Sequence, residues 1–291
     1  MRWALRFAVS TSILSIILLL LLKNHLEDLW DQYSVGTYIA TSWDNTLQHD
    51  TVENIPTFRG QPGDQVIIMA KLEKENTDWV SEQLPEYAIA PISQTPLANP
   101  PPTSWQAAIY TVNPTSANST LLTTPMNKGH EGMAYLSYII DNYDHLPSLM
   151  AFLHSHRAGF LSAWHTDTPL HNNVDALHSL QKPFVQKNGY VNLRCNWNPG
   201  CKEAHRVNAH VTPEVWAEIF SGTETEKGGA PMQVGAACCA QFAVSRDQVR
   251  RRPVGDYVRF RDWIVRTEKS DAESGRVLEF LWHVVFGMEA V

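Results

Sequence analysis

Apolar and polar positions divide the chain into a continuous apolar lead, a polar stretch without period, and a long patterned body. Phe7 to Leu22 is almost wholly apolar, with Arg2 and Arg6 before it and Lys23, Glu27, Asp28 and Asp31 after it. Counted from Trp3, the run reaches the ~20 residues that a bilayer span needs, and Arg6 is long enough to snorkel. It ends Leu-Leu-Lys-Asn-His-Leu-Glu, without the small residues of a signal-peptide cleavage site. The pattern therefore predicts a cytosolic tail over 1–6 and an uncleaved transmembrane signal anchor over 7–23. Arginines ahead of a span favour a cytosolic N-terminus. The expectation is a single-pass type II membrane protein of the ER or Golgi, with a lumenal body over 64–291. Residues 24–63 carry Trp43, Pro56, Gly60, Pro62 and Gly63 and little periodicity, which predicts a stem or linker.

Within the body, short apolar runs alternate with helical spacings. Gln65 to Ala70 reads as the first strand, and Asn76 or Thr77 caps a short helix that Pro85 stops. Ala107 to Val112 reads as the second strand. Met133, Leu136, Ile139 or Ile140, and Tyr143 recur at helical spacing behind Asn127-Lys128-Gly129. After Pro147, Leu149 to Leu153 is the apolar run of a buried central strand. Gly189 to Cys195 alternates as a strand, Thr212-Pro213 opens a helix to Phe220, and Gln233 to Val244 reads as a strand of small residues. Ser245 to Gln248 has the form of a capping box for a helix to Arg252. Asp256 to Val265 and Val277 to Phe286 are amphipathic helices, the last closed by Gly287. This alternation predicts an α/β body: a mostly parallel, Rossmann-like sheet with helices on both faces.

Composition adds limits. With 44% hydrophobic and 18% charged residues the chain is ordinarily globular, and a net charge of −7 without a basic run argues against a nucleic-acid polymer as partner. Four cysteines, Cys195, Cys201, Cys238 and Cys239, allow three full pairings. The Pro199-Gly200 loop favours a Cys195–Cys201 bridge, whereas Cys238-Cys239 lies in an apolar run that suits buried thiols. Asn118-Ser119-Thr120 is a glycosylation acceptor triplet, in keeping with a lumenal body.

Candidate chemistry collects where the central strand ends, because open α/β sheets bind ligands beyond their strands' carboxyl ends. His154 and His156 are two apart, Arg157 follows, and Trp164, His165 and Asp167 lie within a loop's reach. His154, His156 and Asp167 are the candidate ligands of a divalent metal, with His165 in reserve. Two imidazoles and a carboxylate also suit non-haem iron or a zinc hydrolase. Lys71, Lys128 and Arg157 stand at predicted element ends, and Asn127 to Gly129 opens a helix N-terminus suited to anions. Glu279 sits among Leu278, Phe280, Leu281 and Trp282, an apolar setting that moves a carboxyl toward the pKa of a base, with His283 at i+4 as its expected partner.

Five ordered segments carry a resemblance: Asn127-Lys128-Gly129-x-Glu131, Tyr135 to Tyr143, Phe152-x-His154-x-His156-Arg157, Gly189 to Cys195, and Cys239 to Ser245. They resemble a fungal family of uncharacterised membrane-anchored proteins over roughly Val66 to Gly287. That family is in turn similar to nucleotide-sugar glycosyltransferases of the GT-A type. The resemblance implies a GT-A-like fold, a nucleotide-sugar donor, and a small-molecule or glycan acceptor. It carries over the Lys71 to Glu75 turn, the Gln241-Phe242 segment and Glu279 on the final helix. The implied substrate-binding set is Lys71, Glu75, Asn127, Lys128, Glu131, His154, Arg157, Arg194 and Gln241. Glu75 and Glu131 serve ribose or sugar hydroxyls, or are helix-end charges. Glu279 is the expected catalytic base, with His156 and Asp167 the other catalytic candidates. Metal-using GT-A enzymes place two Asp residues after the central strand, where this chain has His154-Ser155-His156. Three alternatives follow: a metal held through imidazole and Asp167, transfer without metal, or no transfer. The rival readings are a metal-dependent hydrolase or oxygenase on the histidine loop, and a non-catalytic lumenal glycan-binding or accessory protein.

Overall fold

The computed structural model describes residues 2–32, 64–84, 105–114, 121–159, 165–194, 210–223, 225, 229–231 and 234–290. The acceptor triplet at Asn118, the Cys195–Cys201 loop, Trp164 and the stem beyond Gln32 lie outside the described residues. Helix α1 (Arg2–Gln32) is 31 residues long, ~46 Å at 1.5 Å per residue. Within it Ser10–Glu27 is long and apolar enough to cross a membrane, and the same pattern also marks a signal sequence. The helix runs past the predicted anchor boundary at 23 and continues to Gln32.

The body is built on one six-stranded sheet: β1 (Gln65–Lys71), β2 (Gln106–Thr111), β3 (Leu122–Thr123), β4 (Leu149–His154), β5 (Tyr190–Asn192) and β6 (Phe242–Ser245), in the order β3-β2-β1-β4-β6-β5. β1 pairs in parallel with β2 and β4, and β2 with β3, but β6 runs antiparallel to both β4 and β5. The sheet is therefore mixed. The expected strand over 233–244 is corrected too: among the described residues from Val234 onward, the strand covers Phe242–Ser245. Cys239 and Ala240 have φ of 105° and 50°, and a strand ladder does not run through left-handed residues.

Helices cover both faces, because β1 is apolar at every position from Val66 to Met69. Val66 and Ile68 face one core with Met150 and Phe152 of β4. That core is closed by α3 (Gly132–Asp141), α6 (Pro213–Phe220), α8 (Val254–Arg266) and α9 (Asp271–Val285). Ile67 and Met69 face the other, with α2 (Trp79–Gln83), α4 (Asn173–His178) and α5 (Lys182–Asn188). Phe152 and Phe242 are cross-strand partners whose rings stack at 4.8 Å, and Tyr135 of α3 meets Phe152 edge-on at 4.9 Å.

Caps show which sequence signals were complete. Thr212 caps α6 by accepting from Val215 N–H. Ser245 likewise accepts from Gln248 N–H, but the Gln248 amide donates to the Phe286 carbonyl. The predicted box is thus only half formed, and α7 (Arg246–Val249) stops short of Arg252. A full capping box, Ser270 with Glu273, starts α9 well before Val277.

Gly129, with φ of 77°, turns the chain into α3, and a Cβ there would lie 2.7 Å from Ile264 Cγ2 of α8. Gly129→Ala is expected to cost about 2 kcal/mol or more, from left-handed strain plus overpacking. Chemical denaturation of the detergent-solubilised chain measures it; an unchanged midpoint would mean that the α3–α8 contact yields freely.

Candidate functional site

β2 and β3 lie to one side of β1 and β4 to the other, so strand order reverses between β1 and β4. Their carboxyl ends point the same way and part at this switch point, which leaves a crevice there. A cleft of about 430 Å³ opens at that place. Ala70, Lys71, Leu72 and Glu75 follow β1 into it, and His154, Ser155 and His156 follow β4. Asn127, His130 and Glu131 enter from the start of α3, and Asp271 from the start of α9.

Hydrogen bonds tie the two strand ends together. Glu75 accepts from Leu72 N–H at 2.8 Å and from the Ser155 hydroxyl at 3.1 Å. The Trp79 indole donates to the Ser155 carbonyl at 2.8 Å. Opposite, Gln241 and Asn173 form a reciprocal amide pair, at 3.1 and 3.0 Å. The Gln241 oxygen also accepts from His154 N–H at 2.8 Å, and its NH2 donates to the His165 carbonyl at 3.2 Å. Asn173 donates to the His156 carbonyl at 2.8 Å. One buried amide pair thus holds the backbones that carry all three histidines. Gln241 serves here as support and is not among the residues lining the cleft.

The three imidazoles are close: His154 and His165 have centroids 4.3 Å apart, His156 and His165 6.4 Å. Strand β4 ends at His154, which is mostly buried, so His156 does not continue its face and is exposed. Burial, with His156 and His130 nearby, pushes the His154 pKa down to about 3. Burial and the adjacent His154 push His165 down as well. His154 Nε2 lies 3.4 Å from Glu131 Oε1, and burial, which strips the charged ring of its hydration, keeps the imidazole neutral near pH 7. His130 Nε2 lies 3.4 Å from Asp271 Oδ2, and the His130 backbone N–H donates to Asp271 Oδ1 at 3.0 Å.

Glu279 approaches from α9 and is largely buried. Desolvation raises its pKa, against the opposing effect of Arg276, whose Nη1 donates to Glu279 Oε2 at 2.6 Å. The expected partner His283 is instead bonded through Nε2 to the Ala290 carbonyl at 3.1 Å. The Cys239 backbone influences both the Glu279 carboxyl and the His154 imidazole, so one peptide turn lies beside these two candidates.

Other predicted site residues lie elsewhere. Asp167 does not line this cleft; its carboxylate is 3.9 Å from Arg194, and it borders a separate pocket with Phe184 and Leu193. Arg194 is completely buried beside it. Lys128 donates to the Thr267 carbonyl, and Arg157 is exposed outside the cleft lining. The geometry brings together Lys71, Glu75, Asn127, Glu131, His154 and His156, and adds His130, Ser155, Asp271 and Asn173. Asn173 had only the signal of a helix-capping Asn-Asn pair. Cys238 and Cys239 are bonded to each other, in contrast to the expected buried thiols.

A buried base that stays neutral gives a stability signature. Between its free pKa near 6.5 and about 3, the unfolded chain binds the His154 proton and the folded chain does not. Stability is therefore expected to fall as pH drops through this window, by about 1.4 kcal/mol per pH unit for this group. Urea unfolding across the window should show a shallower slope for His154→Gln; an unchanged slope would place the titrating group elsewhere.

The body is a mixed six-stranded α/β sheet with helices on both faces and a cleft where the strand order reverses. The chain belongs to the family described as proteins of unknown function, DUF3431, whose profile matches residues 67–291. No curated protein and no solved structure matches the chain.

Proposed function

We propose that the chain is a membrane-anchored, glycosyltransferase-like enzyme that moves a sugar from a nucleotide-sugar donor to a small-molecule or glycan acceptor. The observation that carries this reading is the position of the cleft at the β1/β4 switch point, where doubly wound sheets receive nucleotides. The first amides of α3 and Lys71 suit a diphosphate, and Glu75 suits ribose or sugar hydroxyls. Glu279, a carboxyl raised by burial, stands outside the cleft lining but close enough to Glu131 and His130 on the cleft wall to be influenced by both, and it suits the base that takes the acceptor proton. The five segments resemble a fungal family of membrane-anchored proteins, and that family's own similarity to the GT-A type points the same way.

Lys71 is the only lysine or arginine lining the cleft among the described residues, against the carboxylates of Glu75, Glu131 and Asp271. A diphosphate would meet excess negative charge there, so the proposal includes a divalent cation entering with the donor. Its holders would be His154 and Glu131: His154 Nε2 is buried, lacks a hydrogen-bond partner and faces Glu131 Oε1. Such a cation counters charge on a leaving diphosphate. The rival His154/His156/Asp167 metal enzyme has less support, since Asp167 lies against Arg194.

For the anchor we propose the type II orientation in the ER or Golgi, supported by the arginines ahead of the span and by a disulfide suited to an oxidising lumen. The deciding experiment screens nucleotide sugars against the solubilised full chain, with and without Mn²⁺, for a melting shift and for release of nucleoside diphosphate. One donor is expected to give both, with the shift lost in Lys71→Ala. A folded chain that binds neither nucleotide sugars nor nucleoside diphosphates in either condition would sink the reading.

A further inference from the structure

The turn at Cys238 and Cys239 comes just before β6 and is not part of the cleft lining. Both cysteines are buried and joined to each other. Glu279 reaches this turn from α9, and the two sulfurs and a Glu279 carboxylate oxygen all lie within 4.8 Å of one another. Two sulfur donors and one oxygen converge here, and the cleft-lining residues include none of the three.

We propose that Cys238, Cys239 and Glu279 form a redox-gated site for one thiophilic divalent cation of the zinc or cadmium class. While the sulfurs are bonded to each other, no thiolate exists and the site is closed. A dithiol reductant opens it: the disulfide takes up two electrons and two protons, and the reductant becomes a disulfide. An entering cation then displaces both thiol protons and is held by two thiolates and the carboxylate. Tetrahedral coordination with metal–sulfur bonds of ~2.3 Å needs the sulfurs ~3.7 Å apart, so they must separate once the bond between them is reduced, while the Glu279 oxygen already lies within 4.8 Å of both. Three anionic donors leave one negative charge against a dication, and Arg276, already bonded to Glu279, balances it. Sulfur donors select against magnesium and calcium, which take oxygen ligands, so this site differs from the His154–Glu131 pair. Occupation would also tie up Glu279, which on the proposed reading is the base, so reduction with metal present would silence transfer.

The test uses the solubilised full chain carrying Cys195→Ser and Cys201→Ser, with Cd²⁺ as probe and no nucleotide present, so its outcome is independent of the donor reading. The chain is reduced with a dithiol, freed of reductant under anaerobic conditions, and titrated while thiolate-to-cadmium charge-transfer absorption is followed. The reduced chain is expected to show two titratable thiols and bind one Cd²⁺, and the oxidised chain none. Glu279→Gln should keep both thiols but weaken binding by at least about ten-fold. A pair that resists reduction in the folded chain, two free thiols without the absorption band, or undiminished affinity in Glu279→Gln would each overturn the proposal.

Discussion

Glu279→Gln is expected to keep the fold and donor binding while losing about 10²–10⁴-fold in turnover, the usual contribution of a positioned base. The side chain is held by α9 and by Arg276, and its pKa is raised chiefly by burial. A raised pKa makes a carboxylate a better proton acceptor near neutrality. Glutamine keeps the shape and still accepts from Arg276, so the loss should fall on kcat rather than on donor affinity. Glu268→Gln, exposed in the loop between α8 and α9, is the control expected to change little. The measurement is release of nucleoside diphosphate from whichever donor the screen identifies, with acceptor present. Full turnover in Glu279→Gln would remove it from the mechanism and turn attention to His156 on the cleft wall.

The parts of this picture legible in the sequence are those that depend on local pattern. β1, β2 and β4 are short apolar runs bounded by turn residues, and their order along the chain placed His154 at a strand's end. Longer-range choices left no local trace. Gln241 and Asn173 pair across 68 positions, so nothing near either marked the clamp under the histidines. Cys239 and Ala240 take left-handed backbone without being glycine, so the start of β6 was hidden inside an apolar run. Helical spacing offers Glu279 both Arg276 and His283; the contact of His283 with Ala290, beyond the helix end, settled the choice. Lys128 had the look of an anion-binding cation until α8 supplied the Thr267 carbonyl at its C-cap.

Arg252→Ala is expected to destabilise the body by about 3–5 kcal/mol, because it leaves a buried charge without its partner. Only 8% of Arg252 is exposed, and its guanidinium is shared among four acceptors. Nη1 donates to Asp256 Oδ2 at 3.1 Å, and Nε to the Val285 carbonyl at 2.8 Å. Nη2 donates to Thr225 Oγ1 at 2.7 Å and to the Val284 carbonyl at 3.3 Å. Val284 and Val285 end α9, so the guanidinium supplies a donor to the Val285 carbonyl, adds a second to the Val284 carbonyl, which also accepts from Gly287 N–H, and sits at the negative end of the helix dipole. Alanine would strand Asp256, itself buried, and free the last turn of the helix that carries Glu279. Typical domains hold about 5–15 kcal/mol in total, so this loss takes a large share. Lysine keeps the charge but lacks the planar fork, and Arg252→Lys should recover only part of the loss. Arg246→Ala, which breaks a contact with the fully solvated Asp247 among others, should cost about 1 kcal/mol or less through that pair. Denaturant unfolding of the solubilised chain, with the Arg252/Asp256 double-mutant cycle, measures the coupling. If Arg252→Ala and Asp256→Ala are each within about 1 kcal/mol of the parent and simply additive, the guanidinium does not hold the end of α9.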